Sequence, residues 1–212
     1  YLPAAVLNYL LLLGWAPEGE QEIFSLDEMI KIWDPSRISK SPAIFDPLKL
    51  RAINAAYIRA LPAEEFRRLA DPFIDSAVHC DIDRDLLCAN LQPRCEVLED
   101  IPPQLDFFDA VLPIDAEMYR NKKQKTTPES AKEALSALLP VLETQTDWSR
   151  DAIFEACKQK AEAMEKKNGW LLFPLGIALS GKARTPGGGT DLAAMMGKEE
   201  TLRRLNAAIE AL

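Results

Sequence analysis

The chain has 212 residues, 48% hydrophobic and 27% charged, with 25 Lys plus Arg against 33 Asp plus Glu and a net charge of −8. That apolar share supports a packed core and excludes an intrinsically disordered chain. The longest apolar run, residues 9–15, is far short of the roughly 20 residues that a bilayer-spanning helix needs. No basic and apolar leader with a cleavage site opens the chain, so a cytoplasmic protein is expected. At about 100–150 residues per domain, the length predicts one or two domains.

The charge is uneven. Residues 1–60 carry a net −1, residues 61–120 a net −9 with no lysine, and residues 121–212 a net +2. A surface for phosphate is therefore sought outside the middle segment, or at its few arginines.

Taken in chain order, nearly every periodic stretch predicts helix. Residues 3–13 place Val6, Leu10 and Leu13 on one stripe, and Gly14 ends it. Ser25 with Glu28 forms a capping box ahead of Met29, Ile30 and Trp33. Asp46-Pro47 opens a helix with Leu50, Ile53 and Tyr57 on one face. Pro62 opens the next, expected to stop near Asp71-Pro72. Asp83 caps a helix through Leu86, Leu87 and Asn90, which Pro93 interrupts or restarts, and Ile101-Pro102-Pro103 breaks the chain.

Thr127-Pro128-Glu129 starts a helix to about Leu142, with Pro140 bending or ending it. Ser149 starts a longer one through Ile153, Cys157, Ala161 and Met164, expected to close at Asn168-Gly169. A glycine-rich loop, residues 185–189, precedes a short helix from Asp191. Gly197 then separates a last helix carrying Leu202, Leu205, Ile209 and Leu212. No stretch alternates as a strand should, so the fold class is all-α and multi-helical, with seams near residue 61 and residues 120–126. The chain opens inside a helix without an initiator methionine, as a piece of a longer protein would.

Cysteines at 80, 88, 95 and 157 and the single His79 lack the paired short spacings of a zinc site. No metal is expected, the thiols are read as free, and His79 as an ordinary surface or partly buried residue. His79 adjoins Cys80, so no nucleophile–base couple across a cleft is expected either. Arg120 with Lys122, Lys123 and Lys125 forms the one dense basic run. It reads either as a solvated linker or as a contact to a nucleic-acid backbone. Gly187, Gly188 and Gly189 lack the Lys-Ser of a phosphate loop and read as a flexible turn.

Several stretches together resemble the C-terminal half of bacterial glutamyl-tRNA synthetases. They are residues 1–15, residues 22–28, residues 38–46 with Lys49, Leu50, Asn54 and 57–59, Pro174-Leu175, residues 178–181, Thr185-Pro186-Gly187 and residues 197–205, in consistent order along the whole chain. Residues 38–41 also resemble the lysine–serine loop of class I aminoacyl-tRNA synthetases, but no nucleotide fold precedes them, so Lys40 is expected at most to contact phosphate.

The resemblance implies a helical stem-contact domain over residues 1–60 and two helical anticodon-binding subdomains, 61–122 and 123–212. It implies tRNA-Glu as partner and a monomer. It implies no cofactor in this part, ATP and Mg being used by the catalytic nucleotide fold of the whole ligase. Arg94, after Pro93, matches the family's arginine at the third anticodon base, which is C in glutamate anticodons and G in glutamine anticodons. A guanidinium only donates, so it suits the two acceptors of cytosine's pairing edge and leaves guanine's donors unsatisfied. Family members with glutamine there tend to accept both tRNAs.

Thr185, Pro186 and Gly187 match a second anticodon contact. There the chain departs from the family: Gly176 stands for a common arginine, Gly188 and Gly189 for apolar residues that pack on unstacked bases, and Ala52 for a usual tryptophan. Lys182 or Arg184 is the candidate substitute for the missing arginine. A helical protein-interaction module without RNA binding is the competing expectation, favoured by the acidic middle segment and by Gly176.

Overall fold

The structure is a computed structural model, described over residues 1–39 and 42–212. Among the described residues it is all-α, and the β pairings are isolated bridges at Trp15 with Ile38 and Asn121 with Thr126. Within the described residues ten α-helices run α1 (Pro3–Gly14), α2 (Leu26–Ile32), α3 (Pro47–Ala60), α4 (Ala63–Asp75), α5 (Arg84–Leu91), α6 (Pro128–Thr144), α7 (Arg150–Ala163), α8 (Asn168–Ser180), α9 (Gly189–Met196) and α10 (Lys198–Ala211). Short 3₁₀ turns connect several of them. Two compact units form, residues 1–73 with 91–101, and residues 74–90 with 102–212. The chain crosses between them within α4 and within α5.

In the first unit the predicted caps hold. Ser25 Oγ accepts the Glu28 amide at 3.2 Å while the Glu28 carboxylate accepts the Ser25 amide at 2.7 Å. Asp46 accepts the amides of Leu48 and Lys49, satisfying donors that the first helical turn leaves open. Of the expected stripe of α1, Val6 and Leu13 pack partly buried against the core, but Leu10 is 53% exposed, and the fully buried side chains are Ala5, Asn8 and Tyr9. Ala5 and Tyr9 pack with Leu50 and Ile53 of α3.

Asn8 is tolerated there because every polar atom is paired. Its Oδ1 accepts the Phe24 amide (2.8 Å) and the Tyr57 hydroxyl (2.9 Å), and its Nδ2 donates to the Glu22 carbonyl (2.8 Å). Large exposed apolar side chains occur only within residues 1–48 among the described residues, Ile44 (87%), Leu48 (77%) and Ile30 (66%) being the most exposed.

The second unit is built around α8, which packs against α6, α7, α9 and α10. Residues 168–169 therefore open a helix instead of closing α7, correcting the sequence reading. The cause is visible in the residues: α8 is apolar on all sides, and a helix buried on all sides carries no stripe to betray it. The expected stop near Asp71-Pro72 fails, and Pro140 does not end α6, which reaches Thr144, close to the expected Leu142. α4 runs through Pro72 and α6 through Pro140; both prolines are exposed, while Phe66, Ala70 and Ile74, and Leu138 and Leu142, stay fully buried. Burial of each such side chain stabilises by about 1.5–3 kcal/mol, so extending the row offsets an interior proline's cost of about 3 kcal/mol.

α9 begins at Gly189, two residues before the expected Asp191. The buried row of α10 is Thr201, Arg204, Leu205 and Ala208, with Leu202, Ile209 and Leu212 only half-buried. Arg204, 1% exposed, is held on every side. It donates to the carbonyls of Phe107 (2.7 Å), Phe108 (2.6 Å) and Leu179 (2.7 Å), and to Glu200 Oε1 (2.6 Å). One side chain thereby fastens residues 107–108 and the last turn of α8 to α10.

Candidate nucleic-acid interface

Arg94 ends a 3₁₀ turn, Gln92–Arg94, that follows α5 without a change of hand at Leu91. The turn is braced against α3. Gln92 Nε2 donates to the carbonyls of Ile58 (3.0 Å) and Leu61 (2.8 Å), groups left open at the end of that helix. Asn54 Nδ2 donates to the Glu96 carbonyl at 2.5 Å, and Arg51 binds the carboxylates of Glu96 and Asp100. Cys95 is buried beneath the turn, and burial pushes its thiol up to about 11, so it is no nucleophile near neutral pH. Arg94 itself is exposed. The sequence singles out Arg94 as a candidate but not Gln92, whose only signal is its place before Pro93.

Arg94 belongs to the first unit, and the 185–189 loop, Lys182, Arg184 and the basic run from Arg120 to Lys125 belong to the second. α8 ends at Gly181, in the left-handed region at φ 67°, where the amide donates to the Ile177 carbonyl at 2.7 Å. Ser180 Oγ accepts the Lys182 amide at 3.0 Å and donates back to the Gly176 carbonyl at 2.7 Å. Thr185 Oγ1 donates to the Gly187 carbonyl at 2.6 Å, Pro186 is buried, and the Gly188 amide donates to Asp191 at 2.7 Å.

Gly189 is needed for contact: a Cβ there would lie 2.8 Å from the Leu172 carbonyl oxygen and 3.0 Å from the Gly176 amide nitrogen. The loop thus rests on α8 and frames a small pocket of about 140 Å³, walled by Leu172, Phe173, Gly176, Ile177, Thr185 and Gly187. Its walls combine apolar side chains and bare backbone with Lys182 and Thr185, which suits a flat ring with polar edges.

The basic candidates divide. Lys182 binds the Asp106 carboxylate and the Pro103 carbonyl (2.9 Å), and Arg120 is held by both oxygens of Glu117 (2.7 and 2.9 Å). Lys122, Lys123, Lys125 and Arg184 are exposed, and no hydrogen bond or ion pair engages their charged groups among the described residues. Lys40 lies outside the described residues. His79 is exposed, with Nδ1 2.6 Å from Asp109, and this contact holds the Asp109 carboxyl well below the usual range. The four cysteines form no disulfide, and among the described residues no three His, Cys, Asp or Glu side chains gather to hold a metal ion. No described helix is long and apolar enough to cross a membrane.

Comparison with known proteins follows these two sites. The family model described as "Anticodon binding domain" matches residues 50–209, and that described as "tRNA synthetases class I (E and Q), catalytic domain" matches residues 1–52. The chain is 44% identical over 212 residues to a glutamate–tRNA ligase of Clostridium botulinum (strain Hall), covering all of this chain and 44% of that protein. Against the glutamate–tRNA ligase of Clostridium tetani it is 42% identical, covering 43% of that protein. The chain therefore spans less than half the length of these relatives. Among solved structures, it superposes with a TM-score of 0.83 and 29% identity on a glutamate tRNA ligase from Elizabethkingia meningosepticum in complex with its amino acid, covering 100% of this chain and 42% of that one. A glutamate–tRNA synthetase from Elizabethkingia anophelis gives a TM-score of 0.80 at 28% identity.

Proposed function

The chain belongs to the anticodon-binding domain family, and from that premise we propose that it is the tRNA-recognising part of a glutamate–tRNA ligase. The whole enzyme would join glutamate to tRNA-Glu in an ATP-dependent reaction, in the cytoplasm and as a monomer. ATP and Mg would be held by a nucleotide fold preceding residue 1. Among the described residues no three His, Cys, Asp or Glu side chains form a metal cradle. Supporting a preceding fold, the large exposed apolar side chains are confined to residues 1–48, where the class I catalytic model also matches. Residues 1–60 would contact the acceptor-side stem, and residues 61–122 and 123–212 would form the two anticodon-binding subdomains.

The observation that carries this reading is Arg94 on its braced turn. A turn fixed by Gln92 and Asn54 leaves the backbone that carries Arg94 little freedom to lose on meeting a base, so more of the arginine's hydrogen bonding appears as affinity. It offers donors to the acceptors of cytosine in the third anticodon position and nothing to the donors of guanine. In the second unit, an unstacked base would enter the pocket between α8 and the 185–189 loop. Gly187 would present backbone to it, while Thr185 and Pro186 hold the loop in shape.

Exposed Arg184, Lys122, Lys123 and Lys125 are the phosphate contacts of choice, together with Lys40. Lys182 and Arg120 would have to give up Asp106 and Glu117 to serve. The test is filter retention of tRNA-Glu at two salt concentrations. Retention that weakens with salt and prefers tRNA-Glu is expected. Absence of retention, or retention indifferent to tRNA identity, would point to a helical protein-interaction module instead.

A further inference from the structure

Residues 121–126 form a tight turn closed by reciprocal bonds between Asn121 and Thr126, each 3.1 Å. The Asn121 carboxamide oxygen accepts the amides of Lys123 (2.9 Å) and Gln124 (3.1 Å), and Lys125 adopts a left-handed φ of 57°. These constraints send Lys122, Lys123 and Lys125 outward while Gln124 turns in. The Gln124 side chain occupies the space that a Cβ on Gly169 would need, so the turn sits directly on the first turn of α8. Lys166 and Lys167 immediately precede that turn and are also exposed, Lys166 Nζ lying 5.0 Å from the Trp170 ring centre. Five lysines from two distant stretches thus surround one contact. Glu165 is the only carboxylate within residues 121–127 and 165–170.

We infer that these five lysines form one surface for the phosphate backbone of a bound RNA strand, with Lys166 and Lys167 as members that the linear basic run does not reveal. The inference rests on the tRNA-binding reading and says where the strand lies. Gly176, in the wall of the pocket, is seven residues from Gly169 along α8, about 10 Å at 1.5 Å per residue. A strand with one base in that pocket can therefore carry a neighbouring phosphate to the lysines. An acidic peptide would use the same charge but would have no base for the pocket.

The test is titration of the 212-residue chain with a tRNA-Glu transcript over a series of KCl concentrations, with poly-glutamate as competitor. Replacing all five lysines by glutamine should reduce the slope of log affinity against log salt by about 3–4, at roughly 0.7 per phosphate contact. K166Q/K167Q alone should reduce it by about 1–1.5 on the same basis, which separates the surface from any folding defect in the fivefold variant. Arg94→Gln should change the slope by no more than about 1. An unchanged slope in both lysine variants, with wild-type binding intact, overturns this surface and leaves the tRNA reading standing. Equal competition by poly-glutamate assigns it to acidic peptides. Loss of wild-type tRNA binding altogether overturns the parent reading as well.

Discussion

Arg204 meets Glu200 from one turn further along α10, Nε to Oε1 at 2.6 Å, and no part of the Arg204 side chain is exposed. Glu200 also accepts from Nε and Nη2 of Arg203, whose side chain is 61% exposed. The two arginines therefore share a carboxylate but not an environment.

Arg204→Met leaves the buried carbonyls of Phe107, Phe108 and Leu179 without this donor and leaves the Glu200 carboxylate with Arg203 alone. Breaking a buried charged pair in this way costs about 3–5 kcal/mol. Arg203→Met removes an exposed partner and should cost less than about 1 kcal/mol. Urea denaturation of the two variants should show this contrast, and equal losses would refute the role given to Arg204.

The pH response has a definite sign. The hydrogen bonds from Arg203, with those from Arg204, bring the Glu200 carboxyl down to about 2, below the ordinary glutamate value of about 4.3. The unfolded chain therefore binds more protons between those values, and stability falls as pH is lowered through that window. Asp109, held low by the His79 ring and amide, acts in the same direction. The urea midpoint should drop from pH 5 to pH 3, and Glu200→Gln should shrink the drop. An identical drop in that variant would remove Glu200 from the explanation.

Two glycines at one helix contact should behave oppositely. Gly189→Ala forces a Cβ against the Leu172 carbonyl and the Gly176 amide, both backbone, and should destabilise by about 1–3 kcal/mol. At Gly176 a Cβ meets nothing closer than 3.7 Å, so Gly176→Ala should stabilise α8 by about 0.5–1 kcal/mol. Thermal melting of both variants checks the pair, and a stabilised Gly189→Ala would contradict the packing described.

What was legible in the sequence follows the range of the forces involved. Caps at Ser25, Asp46, Asp83, Thr127 and Ser149 were readable because side chain and amide lie within three residues. α8 was not, since uniform apolarity carries no period and Asn168-Gly169 mimics a stop. In α1 only Leu10 departs from the expected stripe, and the burial of Asn8 was not readable because its partners lie 14 to 49 residues away. Burial of Arg204 is likewise set by carbonyls 25 to 97 residues away. At the candidate interface, Arg94 and the 185–187 loop were found through family resemblance. The brace at Gln92 and the meeting of two lysine groups at Gly169 required the fold.

The anticodon reading is tested most directly by a single base. Retention of tRNA-Glu by the chain should fall when the third anticodon base is changed from C to G, by about 1–3 kcal/mol, and Arg94→Gln should erase most of that difference. Equal retention of the two tRNAs by the wild-type chain would contradict it.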